Sequence, residues 1–148
     1  MPGQTTTAIN ACNALIEMDD AGGTPVDISG SSNTANLGFS NTIGSAFTFD
    51  GDYPVRIECK KDASLEISAL YTRIATEALD LFVEWYQAGG RRTIAIYPNG
   101  QDTGERYYSA EWRLESMDIP IDASDANPIV VSMTLVPDGA VNFLKYAS

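Results

Sequence analysis

The sequence predicts a mainly β protein, an antiparallel β-sandwich or barrel with one peripheral α-helix at about residues 74–88. Three observations predict it. Several segments alternate apolar and polar residues with period two, the sign of a strand with one buried face. One segment shows the 3.6-residue period of an amphipathic helix. Strand and helix patterns do not alternate along the chain, which argues against a doubly wound parallel sheet.

The elements follow in order. Residues 13–19, with Leu15, Ile16 and Met18, read as a short strand, and Gly22 and Gly23 mark a turn. Residues 25–29 read as a brief extended segment. Residues 30–42 are rich in Ser, Asn and Gly, with Leu37 and Phe39 apolar, and fit either a weak strand or a loop. Residues 43–49 alternate in part before Asp50, Gly51 and Asp52 break the pattern. Residues 55–61 alternate cleanly: Val55, Ile57 and Cys59 point one way, and Arg56, Glu58 and Lys60 the other. Asp62 and Ala63 are expected to turn the chain into residues 65–69, giving a hairpin.

The helix is expected next. Leu79, Phe82, Val83 and Tyr86 fall on one stripe, widened by Trp85, with Glu77, Asp80, Glu84 and Gln87 opposite. Glu77 and Asp80 suit the positive end of the helix dipole, and Gly89 and Gly90 end it. The aromatic stripe reads as core packing. Residues 92–97 form a strand with Ile94 and Ile96 on one face, and Pro98, Asn99 and Gly100 turn the chain. In residues 107–117, Tyr108, Ala110, Trp112 and Leu114 oppose Tyr107, Ser109, Glu111, Arg113 and Glu115. Residues 120–128 read as a polar loop, 129–136 as a β-branched strand, and 140–146 as a last short strand.

Composition narrows the chemistry. The 148 residues suit one domain spanning 1–148. The net charge of −11, with no Lys or Arg before Arg56, would repel nucleic acid rather than bind it. Histidine is absent, which removes the commonest general base and metal ligand. Cys12 and Cys59 form neither a disulfide framework nor a zinc site; each is expected in a strand as a small apolar residue. Residues 100–104 lack the Lys and Ser/Thr of a nucleotide loop. Asp118, Asp122 and Asp125 lack the ligand spacing of a calcium loop. Glu111 and Glu115 share a strand face but lie ~13 Å apart, too far for paired-carboxylate hydrolysis. Arg91 and Arg92 are expected to pair ions or to complement the helix end. The reading therefore holds no catalytic, cofactor or metal residues. No apolar run approaches the ~20 residues of a membrane span, and residues 1–10 lack a signal-peptide pattern. The expectation is a soluble protein assembled in the cytoplasm.

Strands with a core on one face and mixed charge on the other suit a wall between protein and water, and joining copies edge to edge would hide the sheet edges. At this point the order of pieces resembles the tail-tube proteins of long-tailed bacteriophages. The resemblance runs from about Val26 to Gly139. It is carried by the segment from Val26 to Asn33; by Tyr53-Pro54-Val55-Arg56, Lys60-Lys61-Asp62 and a helix ending in Trp85-Tyr86; by the segments from Arg92 to Pro98 and from Tyr107 to Ser116; and by the close from Ile129 to Gly139.

The resemblance implies homo-hexameric rings stacked into a tube, placed in the virion tail and assembled in the host cytoplasm. Its partners would be further copies of the chain, tape-measure, baseplate and terminator proteins, and DNA that passes without adhering to an acidic lumen. It implies a ring-stacking loop at about residues 40–53, including Ser40, Asn41, Thr42, Asp50, Asp52 and Tyr53. Residues 1–11 and 140–148 would be inter-subunit arms. The lumen candidates are the polar faces Arg56, Glu58, Lys60 and Glu111, Arg113, Glu115. Two alternatives stay open. One is a related tail-completion ring or injection-machine tube component. The other is a carbohydrate-binding β-sandwich using Tyr107, Tyr108 and Trp112, against which the alternation places Trp112 in the core.

Overall fold

The computed structural model describes residue 3 and residues 7–147. Among the described residues, eight strands form one antiparallel sheet: β1 (Leu15–Asp19), β2 (Pro25–Asp27), β3 (Ser32–Ala46), β4 (Val55–Leu70), β5 (Arg91–Tyr97), β6 (Arg106–Asp118), β7 (Val130–Pro137) and β8 (Asn142–Lys145). The order across the sheet is β2-β1-β5-β6-β7-β4-β3, with β8 paired to β6. The helix α1 (Ala78–Ala88) lies in sequence between β4 and β5. The expected class, mainly β with one helix, is the observed one.

The sheet curls because its two ends are tied by one short segment. The Ile28 N–H donates to the Ile16 carbonyl of β1, and the Leu70 N–H donates to the Ser31 carbonyl. The concave inner face then buries side chains from strands that are far apart in the sheet order. Ile16 and Met18 (β1), Ile94 (β5), Ala110 and Trp112 (β6), Met133 and Leu135 (β7), and Leu65 and Ile67 (β4) share one core. Period-two alternation delivers this in each strand, as the sequence predicts for residues 107–115 and 92–97.

Helix α1 packs Ala78, Leu79, Leu81, Phe82 and Trp85 into that core. It begins four residues later than expected, and the buried stripe runs through Trp85, leaving Tyr86 exposed. Gly89, at φ 72°, ends it, donating its N–H to the Trp85 carbonyl at 2.7 Å. Arg92 accounts for the placement of the helix. It is buried, and its guanidinium donates to the Leu81 carbonyl at 3.3 Å and to Glu84 Oε1 at 3.2 Å while lying 5.8 Å from the Trp85 ring centroid. The ion-pairing expectation for Arg91 and Arg92 is met: Arg91 pairs with Glu111 and Asp138, and Arg92 with Glu84.

Three local expectations differ from the structure. Asp62 and Ala63 do not turn the chain; β4 is one continuous strand, because β3 pairs with it from Ala69 back to Val55. Residues 30–42 and 43–49 are not separate pieces, since Ser32–Ala46 is one strand. Cys12 lies in a 3-10 turn rather than a strand, and both cysteines are exposed. Among the described residues, no helix is long and apolar enough to cross a membrane.

Candidate assembly surfaces

The structure places the predicted residues on two separate surfaces. The first is a projecting arm. β7 pairs with β4 only from Leu65 to Leu70, whereas β3 continues beside β4 to the Ala46↔Val55 pair. Beyond about residues 41 and 61 the two strands therefore stand, among the described residues, as a two-stranded ribbon with no third strand. Residues 47–54 form its tip. Phe47 is 73% exposed, Tyr53 84%, and Phe49 wholly so. At the tip Gly51 lies close to Thr48: a Cβ there would meet Thr48 Oγ1 at 3.0 Å, so that hydroxyl would have to give by a few tenths of an ångström. An isolated two-stranded hairpin is marginal in water, so a ribbon carrying bare aromatics calls for a partner surface.

This arm holds the residues expected in a stacking loop, with one correction. Ser40, Asn41 and Thr42 are strand residues of β3, because each lies within its ladder to β4; Asp50, Asp52 and Tyr53 do belong to the turn. Arg56, Glu58 and Lys60 also fall on the arm, not on the body of the sheet. They do not share one face. A register shift lies between the Asn41↔Lys61 and Ile43↔Glu58 pairs, so Thr42 opposes both Cys59 and Lys60.

The second surface is the convex outer face of the sheet, where Glu111 and Arg113 lie, with exposed Glu115 beside a bulge in β6. Arg113 Nε donates to Asp138 at 3.0 Å, and Arg91 lies 3.7 Å from Asp138 and 3.9 Å from Glu111. Such exposed pairs contribute about 0–1 kcal/mol each. The Thr93 hydroxyl donates to Glu111. Asp19 approaches the same hydroxyl, and its pKa is raised above the usual carboxylate value, first by burial and then by the Glu111 and Asp20 charges, against the Thr93 hydrogen bonds that lower it. Sequence reasoning missed Asp19, Thr93 and Asp138 as members of this face. The signal for Asp19 and Thr93 was present in the outward parity of β1 and β5, but the strand order that brings β1 beside β5 was not, and Asp138 lies in the turn after β7.

Trp112 is 2% exposed within the core, as its alternation predicts, so it offers no platform for a sugar. Residues 142–145, within the expected C-terminal arm, pair with β6 of the same chain. Of the expected N-terminal arm, residues 1, 2 and 4–6 lie outside the described residues, as does residue 148 at the other end.

No protein-family model and no curated protein matches the sequence. Solved structures do match the fold. A gene transfer agent tail with C6 symmetry superposes with a TM-score of 0.72 at 13% identity, covering 93% of this chain and 99% of that one. The sheath–tube complex of the PVC extracellular contractile injection system gives 0.72 at 14% identity, covering 95% and 93%. The chain has the tail-tube fold. The SPP1 tail tube shares it, with a TM-score of 0.67 at 15% identity over 95% of this chain and 81% of that chain. The pieces that carry the sequence resemblance thus occur on the fold they implied.

Proposed function

We propose that this chain is a structural, non-enzymatic subunit that assembles with copies of itself into hexameric rings stacked as a tail tube. The observation that carries the reading is the two-stranded arm, which exposes Phe47, Phe49 and Tyr53 on a fold otherwise found in tube assemblies. Neighbouring structures include the cap and the sheath–tube terminator of contractile injection systems. By that analogy the partners would include baseplate, terminator and tape-measure proteins, in a virion tail assembled in the host cytoplasm.

In this reading the outer face bearing Glu111, Arg113 and Glu115 faces the channel. The net charge of −11 per copy keeps DNA from adhering to the wall. The arm, from Ser40 to Tyr53 and back through Arg56, Glu58 and Lys60, reaches the next ring. Residues 1–11 and 140–148 add contacts between subunits. An injection-machine tube has equal support from the PVC match, at the same TM-score of 0.72 as the gene transfer agent tail.

Negative-stain electron microscopy of the purified full chain over a concentration series tests the reading. Rings or hollow tubes are expected, and a Phe47→Ser/Phe49→Ser double variant should stay monomeric. Uniform wild-type monomers at every concentration would overturn self-assembly.

A further inference from the structure

The apolar stripe of β4 changes face part-way along the strand. Ala63, Leu65, Ile67 and Ala69 are buried on the inner face. With unbroken alternation, Val55, Ile57 and Cys59 would continue that stripe. The register forbids it. From Asn41↔Lys61 to Ile43↔Glu58, β3 advances two residues while β4 advances three. Directly opposed residues share a face, so Glu58 stays on the inner side with Lys61. Ile57 therefore falls on the outer side, together with Val55.

The opposite strand completes a surface. Gly44 opposes Ile57, and Ala46 opposes Val55. Two β-branched side chains thus lie beside positions that carry only a hydrogen or a methyl group. The result is a flat apolar patch, with Ile57 68% and Val55 51% exposed. The inner side of the same ribbon carries Arg56, Glu58, Ser45 and Ile43.

Charge selects the occupant. Residues 43–61 hold three basic and three acidic side chains, so the arm is neutral while the rest of the chain carries the whole −11. Two copies repel wherever their bodies meet and least where an arm meets a body. A repeated head-to-tail contact of arm on neighbour also propagates rings and stacks without using up its own surface.

We infer that the bulge at Cys59 and Lys60 turns the apolar stripe outward, so that the face formed by Gly44, Ala46, Val55 and Ile57 is the one that packs on a second copy of this chain. The inference rests on the tube reading and adds which side of the arm makes the contact and which residues turn it there.

Ile57→Glu and Ile43→Glu place the same charge on opposite sides of one exposed ribbon, which makes them matched variants. Circular dichroism and the thermal midpoint verify that each folds as the wild type does. Under conditions where the wild type forms tubes, Ile57→Glu should lose them and Ile43→Glu should keep them. The reverse pattern, loss in both, or loss in neither overturns the inference while leaving the tube reading standing. Wild-type protein that never assembles overturns the tube reading itself. Maleimide labelling gives a second measurement, made in a Cys12→Ser background. Cys59 should react in the monomer and be protected in the tube, whereas a thiol introduced by Ser45→Cys in a Cys12→Ser/Cys59→Ser background should stay reactive. A Cys59 that reacts equally in monomer and tube overturns the outward assignment.

Discussion

The hydroxyl of Ser31 accepts the backbone N–H of Ala78 at 2.9 Å, so a residue 47 positions earlier caps the start of the helix. The local N-cap residue, Glu77, makes no side-chain cap bond. Ser31 and Ala78 are both buried, and no water can replace the acceptor without opening the core. Ser31→Ala should therefore cost about 1–2 kcal/mol in urea denaturation, at the upper end for a lost cap. A cost near zero would mean that the helix start is held by packing alone.

Arg92 holds the other half of the helix through Leu81 and Glu84. Glu84 is 45% exposed in its side chain, so its charge returns to water when the partner is removed. Arg92→Met should cost about 1–2 kcal/mol, below the ~3–5 kcal/mol of a fully buried broken pair. Equilibrium unfolding at pH 7 measures it, and a loss well above that range would show that the Trp85 stacking dominates.

Asp19 predicts a pH signature. Its folded-state pKa lies above the ordinary value of 3.8, so the folded chain holds that proton more tightly than the unfolded chain. Ionising Asp19 therefore works against the fold. The destabilisation grows as pH rises from the ordinary carboxylate value through the raised one, and is constant above it. Asp19→Asn should raise the thermal midpoint at pH 7, with an advantage that shrinks as the pH falls through the raised value and vanishes below the ordinary value of 3.8. A midpoint at pH 7 equal to or below that of the wild type would refute the assignment.

Trp112 tests the core against a sugar-binding surface. It belongs to the same buried core cluster as Met133, Leu135 and Leu65. Trp112→Ala should cost about 3–5 kcal/mol by emptying that space, measured by thermal and denaturant unfolding. A variant of wild-type stability would contradict its place in the core.

The residues themselves determined much of this protein. Alternation in residues 107–115 assigned Tyr108, Ala110, Trp112 and Leu114 to the core side and Glu111 and Arg113 to the outside, because a strand's side chains alternate whatever it pairs with. The single 3.6-residue period located the helix, and Gly89 marked its end. Composition alone supplied the acidity. Only the tertiary structure decided which strands meet. The helix start was set by Ser31 from a distant segment, so a local pattern over residues 74–77 could not place it. The turn expected at Asp62 and Ala63 did not form, because β3 supplies a continuous partner along β4. The face of Ile57 was decided by one extra residue at the bulge. Alternation in sequence is a property of a single strand, whereas register belongs to a pair, and one residue of slip reverses every side chain beyond it.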